Sequence, residues 1–201
     1  MPLIRTNIML MTLLMTLLGC APEMQVEGND TALGPLPLPF IEYGINKTDI
    51  CSHDQLGVTV CDFKFNDQND EPWRLYEHKG KVIVLDFSTA WCGPCQVAGH
   101  SAQPVQDDYN GEVVVVTLML ANVLNMPPTL EDVQEWAEDH GNTSSPVLQS
   151  PSHQVIDPNG INGYIVQGYP TYIYLNRDME IHLGHTGFNE EYMRNTIDEL
   201  L

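Results

Sequence analysis

Lys81-Val-Ile-Val-Leu-Asp-Phe87, followed three residues later by Trp91-Cys92-Gly93-Pro94-Cys95, decides the fold of this chain. The first stretch is a continuous apolar run interrupted by one acid, the pattern of a strand buried on both faces. A Cys-x-x-Cys directly after such a strand, at the mouth of a helix, is a place where two thiols can close and open a disulfide. Cys92 at the helix N-terminus would face unpaired N–H groups and the positive end of the helix dipole, which favour a thiolate. Cys95, three residues on, would lie one turn away on the same face, within reach of the first sulfur. Cys92 therefore reads as the attacking thiolate and Cys95 as the thiol that resolves the mixed disulfide. Zinc sites also use Cys-x-x-Cys, but they need a second ligand pair. The sequence has no second Cys-x-x-Cys and no His-x-x-x-His, so no metal is expected. A structural disulfide is the plainer alternative; Gly93-Pro94 between the cysteines, behind Trp91, argues against it.

The sequence around this core alternates strands and helices. Residues 113–120, Val-Val-Val-Val-Thr-Leu-Met-Leu, form a second apolar strand, and the active-site helix fills the interval from Cys92 to about Tyr109. Thr129-Leu-Glu-Asp132 is a variant capping box opening a helix to His140, with Gly141 as its stop. Residues 144–163 carry Pro146, Pro151, Pro158 and the steps Asn159-Gly160 and Asn162-Gly163, and so read mostly as loop. Residues 172–175 and 180–183 form a hairpin around Asn176-Arg-Asp-Met179. Asn189 is the N-cap of a closing helix. The expected class is α/β, a central mixed sheet flanked by helices.

With these residues in place, the chain resembles the thioredoxin superfamily. Trp91-Cys92-Gly93-Pro94-Cys95 matches its active-site motif letter for letter, and Trp91, Gly93 and Pro94 are implied as support for the two sulfurs. Asp86, six residues before Cys92, matches the family's buried acid, which helps move the proton of the second cysteine. Val166-Gln-Gly-Tyr-Pro170-Thr-Tyr-Ile-Tyr-Leu175 resembles the strand that carries its cis-proline. Pro170 would then face the cysteines, and the backbone of Tyr169 would pair with a substrate peptide. The membrane-anchored, TlpA-like redoxins are the nearer resemblance. They share a leading β-hairpin, here Val60-Cys-Asp-Phe-Lys-Phe65, a turn and Pro72-Trp-Arg-Leu75, and a helix and loop insertion before the proline. The resemblance covers about residues 60–201.

There are departures. Many relatives carry a proline eight residues after the first cysteine; here that position is His100, and the proline is Pro104. His100 would lie two turns from Cys92 and reads as a surface or packing residue. Thioredoxin itself places a lysine beside the buried acid, on the next strand, whereas residues 113–120 hold none. A desolvated Asp86 without a cation should have a raised pKa.

The N-terminus gives an address. Arg5 precedes an apolar run from Ile8 to Leu18, too short to span a bilayer and suited to a signal peptide. The run ends Leu17-Leu18-Gly19-Cys20, which resembles the bacterial lipobox and implies cleavage before Cys20 and lipid attachment to it. Ala21 then follows the lipidated residue, which in a two-membrane bacterium implies the outer membrane. The domain expectation is a signal at 1–19, a lipid-anchored tether at 20–50 with its Gly34-Pro-Leu-Pro-Leu-Pro39 run, and a thioredoxin-like domain at 51–201. Of five cysteines, Cys51 and Cys61 then remain. In an exported chain they are expected to form a structural bridge pinning the leading segment to the first strand; a second redox pair relaying electrons to Cys92 is the alternative.

The chain carries 27 acidic and 8 basic side chains and a net charge of −19, which argues against nucleic acid as a partner. Three functions remain compatible with the residues. The first is a thiol–disulfide oxidoreductase acting as a reductant of exported proteins, apocytochrome c haem-site cysteines among them. It would be a monomer fed by a membrane electron donor and would need no cofactor beyond its redox-active disulfide. The second is a thiol peroxidase: Thr89 stands three before Cys92 as in peroxiredoxins, but their proline four residues earlier is Leu85. The third is a Sco-type copper chaperone, whose Cys-x-x-x-Cys is one residue longer than the spacing here.

Overall fold

The computed structural model describes residues 51–201; the signal, the tether and Cys20 lie outside the described residues. The chain opens with a two-stranded antiparallel hairpin, β1 (Lys64–Asn66) and β2 (Pro72–Arg74), with Phe65 opposite Trp73. There follow β3 (Val82–Ser88), α1 (Gly93–Asp108), β4 (Val113–Met119), α2 (Leu130–His140), β5 (Val147–Gln149), a short α3 (Ser152–Val155), β6 (Thr171–Leu175), β7 (Ile181–Thr186) and α4 (Glu190–Leu200). One five-stranded sheet runs β5-β4-β3-β6-β7. β3, β4 and β5 are parallel, while β6 and β7 run antiparallel to their neighbours. This is the expected mixed sheet, and the sequence shows why β3 and β4 are central: all seven residues of each are buried, as their unbroken apolar runs require.

The three long helices all pack on one face of the sheet. Val82, Val84, Val113, Val115, Tyr172 and Tyr174 meet Ala98, Ala102 and Val105 of α1 and Met193 and Ile197 of α4. Met119 and Val147 carry the same face on to Val133, Trp136 and Ala137 of α2. The opposite face, with Ile83, Leu85, Phe87, Val116 and Leu118, is covered by Phe63, Phe65 and Trp73 of the hairpin region and by Val155 and Tyr164. Period-two alternation along the strands thus divides the molecule into a helical layer and an irregular one.

Local chemistry sets the helix ends. Thr129 Oγ1 accepts from the Asp132 N–H while the Asp132 carboxylate accepts from the Thr129 N–H, and Gly141 closes α2 in the left-handed conformation at φ 71°. Asn189 caps α4 by accepting from the Tyr192 N–H at 2.9 Å. α1 runs unbroken through Pro104, whose missing N–H leaves the His100 carbonyl without its usual partner one turn back.

Residues 144–163 are mostly loop, as expected, but β5 adds a third parallel strand there and α3 a helical turn. β5 is only three residues long between two prolines, so it carries no period of its own. Its position comes from pairing with β4 and from Gln68 in the hairpin turn, which accepts from the Val147 N–H and donates to the Ser145 carbonyl. The expected disulfide Cys51–Cys61 is present, with Cα atoms 4.8 Å apart, and the residues it encloses also reach the last hairpin through their backbone. Gly57 and Val60 donate to the carbonyls of Ile181 and Met179, and Ile181 donates to Val58. The start of β7 is thereby shielded as a sheet edge.

Two stability outcomes follow from this packing. In α1, Gly99 faces α2, and a Cβ there would lie 2.5 Å from Cδ2 of the buried His140 ring. Helix propensity alone favours alanine by about 1 kcal/mol, but overpacking against a ring wedged between two helices outweighs it. We expect Gly99→Ala to lose about 1–3 kcal/mol in urea unfolding; a stabilised variant would show that the helix contact is soft. Replacing both Cys51 and Cys61 by serine should cost roughly 2–3 kcal/mol and leave the Cys92–Cys95 potential unchanged; a shifted potential would instead support the relay reading of that pair.

Candidate active site

Cys92 and Cys95 form a disulfide, Cα atoms 5.2 Å apart, at the junction of β3 and α1. The junction is short and held at both ends. The Ala90 N–H donates to the Ala121 carbonyl and the Cys92 N–H to Thr89; the Gln96 amide reaches back to the Ala90 carbonyl at 2.7 Å. Cys92 is the N-cap of α1, and its sulfur accepts from the Cys95 N–H at 3.2 Å. Pro94 has no N–H, so the first turn offers its Cys95 amide to the sulfur without competition from the position before it. Negative charge developing on Cys92 Sγ meets that amide and the helix terminus. Burial separates the two roles further: Cys95 is wholly buried, whereas Cys92 keeps 5% of its surface, so an incoming sulfur can reach only Cys92.

Asp86 lies on the helical face of β3, two residues beyond Val84 and directly before Ser88 in that face's alternation. In its row of the sheet stand Thr117 on β4 and Tyr172 on β6, neither of them charged. The Ser88 hydroxyl donates to Asp86 Oδ1 at 2.7 Å. Burial pushes the Asp86 pKa up to about 7, with the Ser88 and Thr117 hydroxyls opposing. The Thr117 hydroxyl stands beside the carboxyl without forming a well-directed hydrogen bond, so Ser88 supplies the opposing contact. Burial and the Asp86 charge together hold Tyr172 far above the usual phenol range.

The peptide bond Tyr169–Pro170 is cis. Tyr169 packs against the cluster that contains both cysteines, and its ring stands edge-on to Trp91 at 5.7 Å. Its backbone N–H and carbonyl hydrogen-bond to nothing among the described residues. The structure groups Tyr169, and with it Pro170, with Cys92 and Cys95 and the residues between and beside them, Trp91, Gly93 and Pro94, while Asp86 lies on the helical face of β3 two residues before its end. Cys51 and Cys61 lie apart at the start of the fold. His100 packs its ring on His140 at 4.6 Å. His185 shares a row with Tyr172 and stands edge-on to Tyr192 of α4, and His182 lies 3.9 Å from Glu199 of the same helix, because a bulge at the start of β7 turns both to the helical side. Among the described residues no group of three or more His, Cys, Asp and Glu stands close enough to hold a metal ion.

Sequence reasoning missed four residues of the site. Ser88 had a signal, since it stands two residues from Asp86 and shares its face. Thr117 and Tyr172 reach Asp86 only through strand register. Asn125, whose side-chain oxygen accepts from the Trp91 indole N–H at 3.0 Å, comes from a loop thirty-four residues away and had none.

A strand, a sharp junction and a helix capped by one sulfur of a disulfide, beside a cis-proline, define a thioredoxin-fold thiol–disulfide oxidoreductase. Residues 56–183 match the AhpC/TSA family, and the chain belongs to it, within the TlpA/ResA-like branch of the thioredoxin superfamily. It is 29% identical to the thioredoxin-like protein YneN of Bacillus subtilis over 134 residues, covering 65% of this chain and 72% of that one. It is also 29% identical to the thiol-disulfide oxidoreductase ResA of Halalkalibacterium halodurans, over 72% of this chain and 76% of the relative. In fold it is similar to the pneumococcal exposed lipoprotein thioredoxin of Streptococcus pneumoniae, with a TM-score of 0.57, 24% identity, and coverage of 69% of this chain and 99% of that one.

The raised Asp86 fixes a sign. A carboxyl whose pKa is higher folded than unfolded favours the native state fully below the unfolded value, and that advantage is lost as pH rises through the folded one. Asp86→Asn keeps the acceptor for Ser88 and removes the buried charge. It should stabilise the oxidised protein at pH well above 7 by up to about 4 kcal/mol, the equivalent of moving the pKa from 3.8 to about 7, with the gain vanishing below the ordinary carboxylate range. Urea unfolding at the two pH extremes checks this. Equal gains at both would mean that Asp86 is not titrating as a buried acid.

Proposed function

We propose that this chain is an exported, lipid-anchored oxidoreductase that reduces disulfides in other exported proteins. The observation that carries the reading is the asymmetry at the junction: one sulfur at a helix N-cap with a sliver of exposure, the other wholly buried in the helical layer that also holds Asp86. In the reduced protein the Cys92 thiolate attacks one sulfur of a substrate disulfide. A Cys92–substrate disulfide forms, and the substrate's second sulfur leaves as a thiolate and takes up a proton. Asp86, ionised, accepts the Cys95 proton, and Cys95 attacks Cys92 Sγ. The substrate sulfur held in the mixed disulfide leaves as a thiolate, and the chain ends as the Cys92–Cys95 disulfide. Two electrons have passed to the substrate, and a dithiol donor must return them. The chemistry uses the protein's own sulfurs, with no cofactor or metal assigned. The backbone groups of Tyr169, beside Pro170, would pair with the extended substrate during this exchange; that they hydrogen-bond to nothing among the described residues supports the role.

The address rests on the residues before the described part. The apolar run ending in Gly19-Cys20 supports export and a diacylglycerol anchor on Cys20, facing the periplasm or cell exterior, with the outer membrane favoured in a two-membrane host. A monomer on a tether of residues 20–50 would reach exported clients and a membrane-bound electron donor from that anchor. The acidic charge leaves nucleic acid outside the expected partners.

A thiol peroxidase is the second reading. It is favoured by the family match and by Thr89, which is buried three residues before Cys92. The Leu85 position, where the peroxidase pattern has proline, speaks against it.

Equilibration of the full chain with dithiol buffers tests the direction. A potential near thioredoxin's, about −270 mV, is expected; a value above about −180 mV would overturn the reducing role. Cys92→Ser should abolish exchange, while Cys95→Ser should accumulate a mixed disulfide with client protein. Peroxide consumption that vanishes in Cys92→Ser and outpaces disulfide reduction would establish the peroxidase instead.

A further inference from the structure

The loop between β4 and α2 presents its apolar side chains to water beside the reactive disulfide. Val123 is 67% exposed, Leu124 77%, Met126 57% and the neighbouring Trp91 48%. Scattered exposed apolar residues need no explanation, but a contiguous set at a reactive centre does. The loop is also held firmly in this form. Asn122 Oδ1 accepts from the Leu124 and Met126 N–H groups, both at 3.0 Å. The Asn122 N–H donates to the Met126 carbonyl and Asn125 N–H to the Asn122 carbonyl. Asn122 Nδ2 donates to Asp132 in the α2 cap, and Asn125 takes up left-handed φ at 59° while its side chain holds the Trp91 indole. Six hydrogen bonds thus fix a turn whose apolar side chains are largely exposed, and fixing them in advance removes an ordering cost from binding.

Charge supplies a second constraint. Between Lys81 and Arg177 the sequence contains no lysine or arginine but ten carboxylates. The cations nearest in sequence lie at the opposite end of β3: Lys81 precedes that strand, and Arg177 is tied to Gly80 and Glu112. That pole is about 25 Å from Cys92, the length of the strand. Next to the apolar loop stand the exposed Glu131 and Glu135 of α2. Asp132 is held ionised too: burial pushes its pKa up, but the Thr129 N–H and hydroxyl and the Asn122 amide outweigh it and bring it below the usual range.

We propose that this loop, Val123, Leu124 and Met126 together with Trp91, is the docking surface for the client, and that it selects extended polypeptides whose half-cystine is flanked by apolar and cationic residues. The assignment rests on the oxidoreductase reading above and narrows its substrate class. The apolar side chain seats on the preformed turn, and a neighbouring lysine or arginine faces the α2 carboxylates. Such complementarity acts mainly on encounter and on discrimination between clients.

The test uses the reduced full chain and two cysteine peptides carried as mixed disulfides with thionitrobenzoate. In one, leucine and lysine flank the cysteine; in the other, leucine and glutamate do. Hydroxyethyl disulfide is the small reference substrate. The lysine peptide should react faster than the glutamate peptide at low salt, and the difference should collapse at high salt. In the double variant Leu124→Ser, Met126→Ser, the ratio of the lysine-peptide rate to the hydroxyethyl disulfide rate should fall about tenfold, as loss of two apolar anchors implies. Equal rates for the two peptides at low salt, or an unchanged ratio in the variant, would overturn the proposal. Wild-type protein that reduces the peptides selectively yet sits at an oxidant's potential would overturn the reducing role and leave the docking surface standing.

Discussion

Three residues separate Ser88, the end of β3, from Cys92, the cap of α1, and the chain must turn within them from an extended strand into a helix. The turn is held by the Ala90 amide on Ala121 and the Cys92 amide on Thr89. It places one sulfur on the open end of a helix and the other one turn inside. Every other part of the active end is arranged about this junction. The segment just after β4 supplies the Ala121 carbonyl, α2 covers Cys95 with Val133 and Trp136, and the residues just before β6 bring Tyr169 and the cis-proline alongside. Without the helix terminus the exposed sulfur would lose the amide that stabilises its charge; without the cover on Cys95, both sulfurs would be open to attack.

The buried carboxyl beneath this junction is costly to the fold and useful to the chemistry. In its row of the sheet, β4 and β6 offer only hydroxyl-bearing neighbours, and a single short hydrogen bond from Ser88 does not offset full desolvation. A carboxyl poised near neutrality can hold a proton at one stage of the cycle and release it at another. Perturbed acids of this kind collect at functional sites because a sheet interior built for stability alone would carry valine at that position. The compensation is spread elsewhere, through the apolar packing of both sheet faces and the Cys51–Cys61 disulfide.

The same division between stability and use appears on the surface. Most apolar side chains of this domain are hidden by the helical layer on one side and the hairpin on the other. Among the residues left bare, Trp91, Val123, Leu124 and Met126 gather where Trp91 meets the β4–α2 turn. Hydrogen bonds from Asn122 and Asn125 set that turn rigidly, so its exposure is a feature of the ground state rather than of a loose segment. The far pole holds Lys81 and the salt-bridged Arg177, and no lysine or arginine stands on β3, α1, β4 or α2.

The amino-acid sequence by itself determined the strands β3 and β4, the helix that begins at Cys92, the capped ends of α2 and α4, and the identity of the two redox cysteines. Each of these is written in local periodicity or in a short motif whose chemistry acts within a few residues. Asp86 was legible through the family resemblance, six residues before Cys92, and the lack of lysine on the neighbouring strand foretold its raised pKa. Only the tertiary structure decided the rest. β5 is too short to show a period and exists because β4 and Gln68 pair with it. The segment enclosed by the Cys51–Cys61 disulfide lies against the β6–β7 hairpin because residues 57–60 find backbone partners there. Thr117, Tyr172 and Asn125 join the site through register and loop closure, contacts between residues that are distant in the chain, which no local pattern encodes.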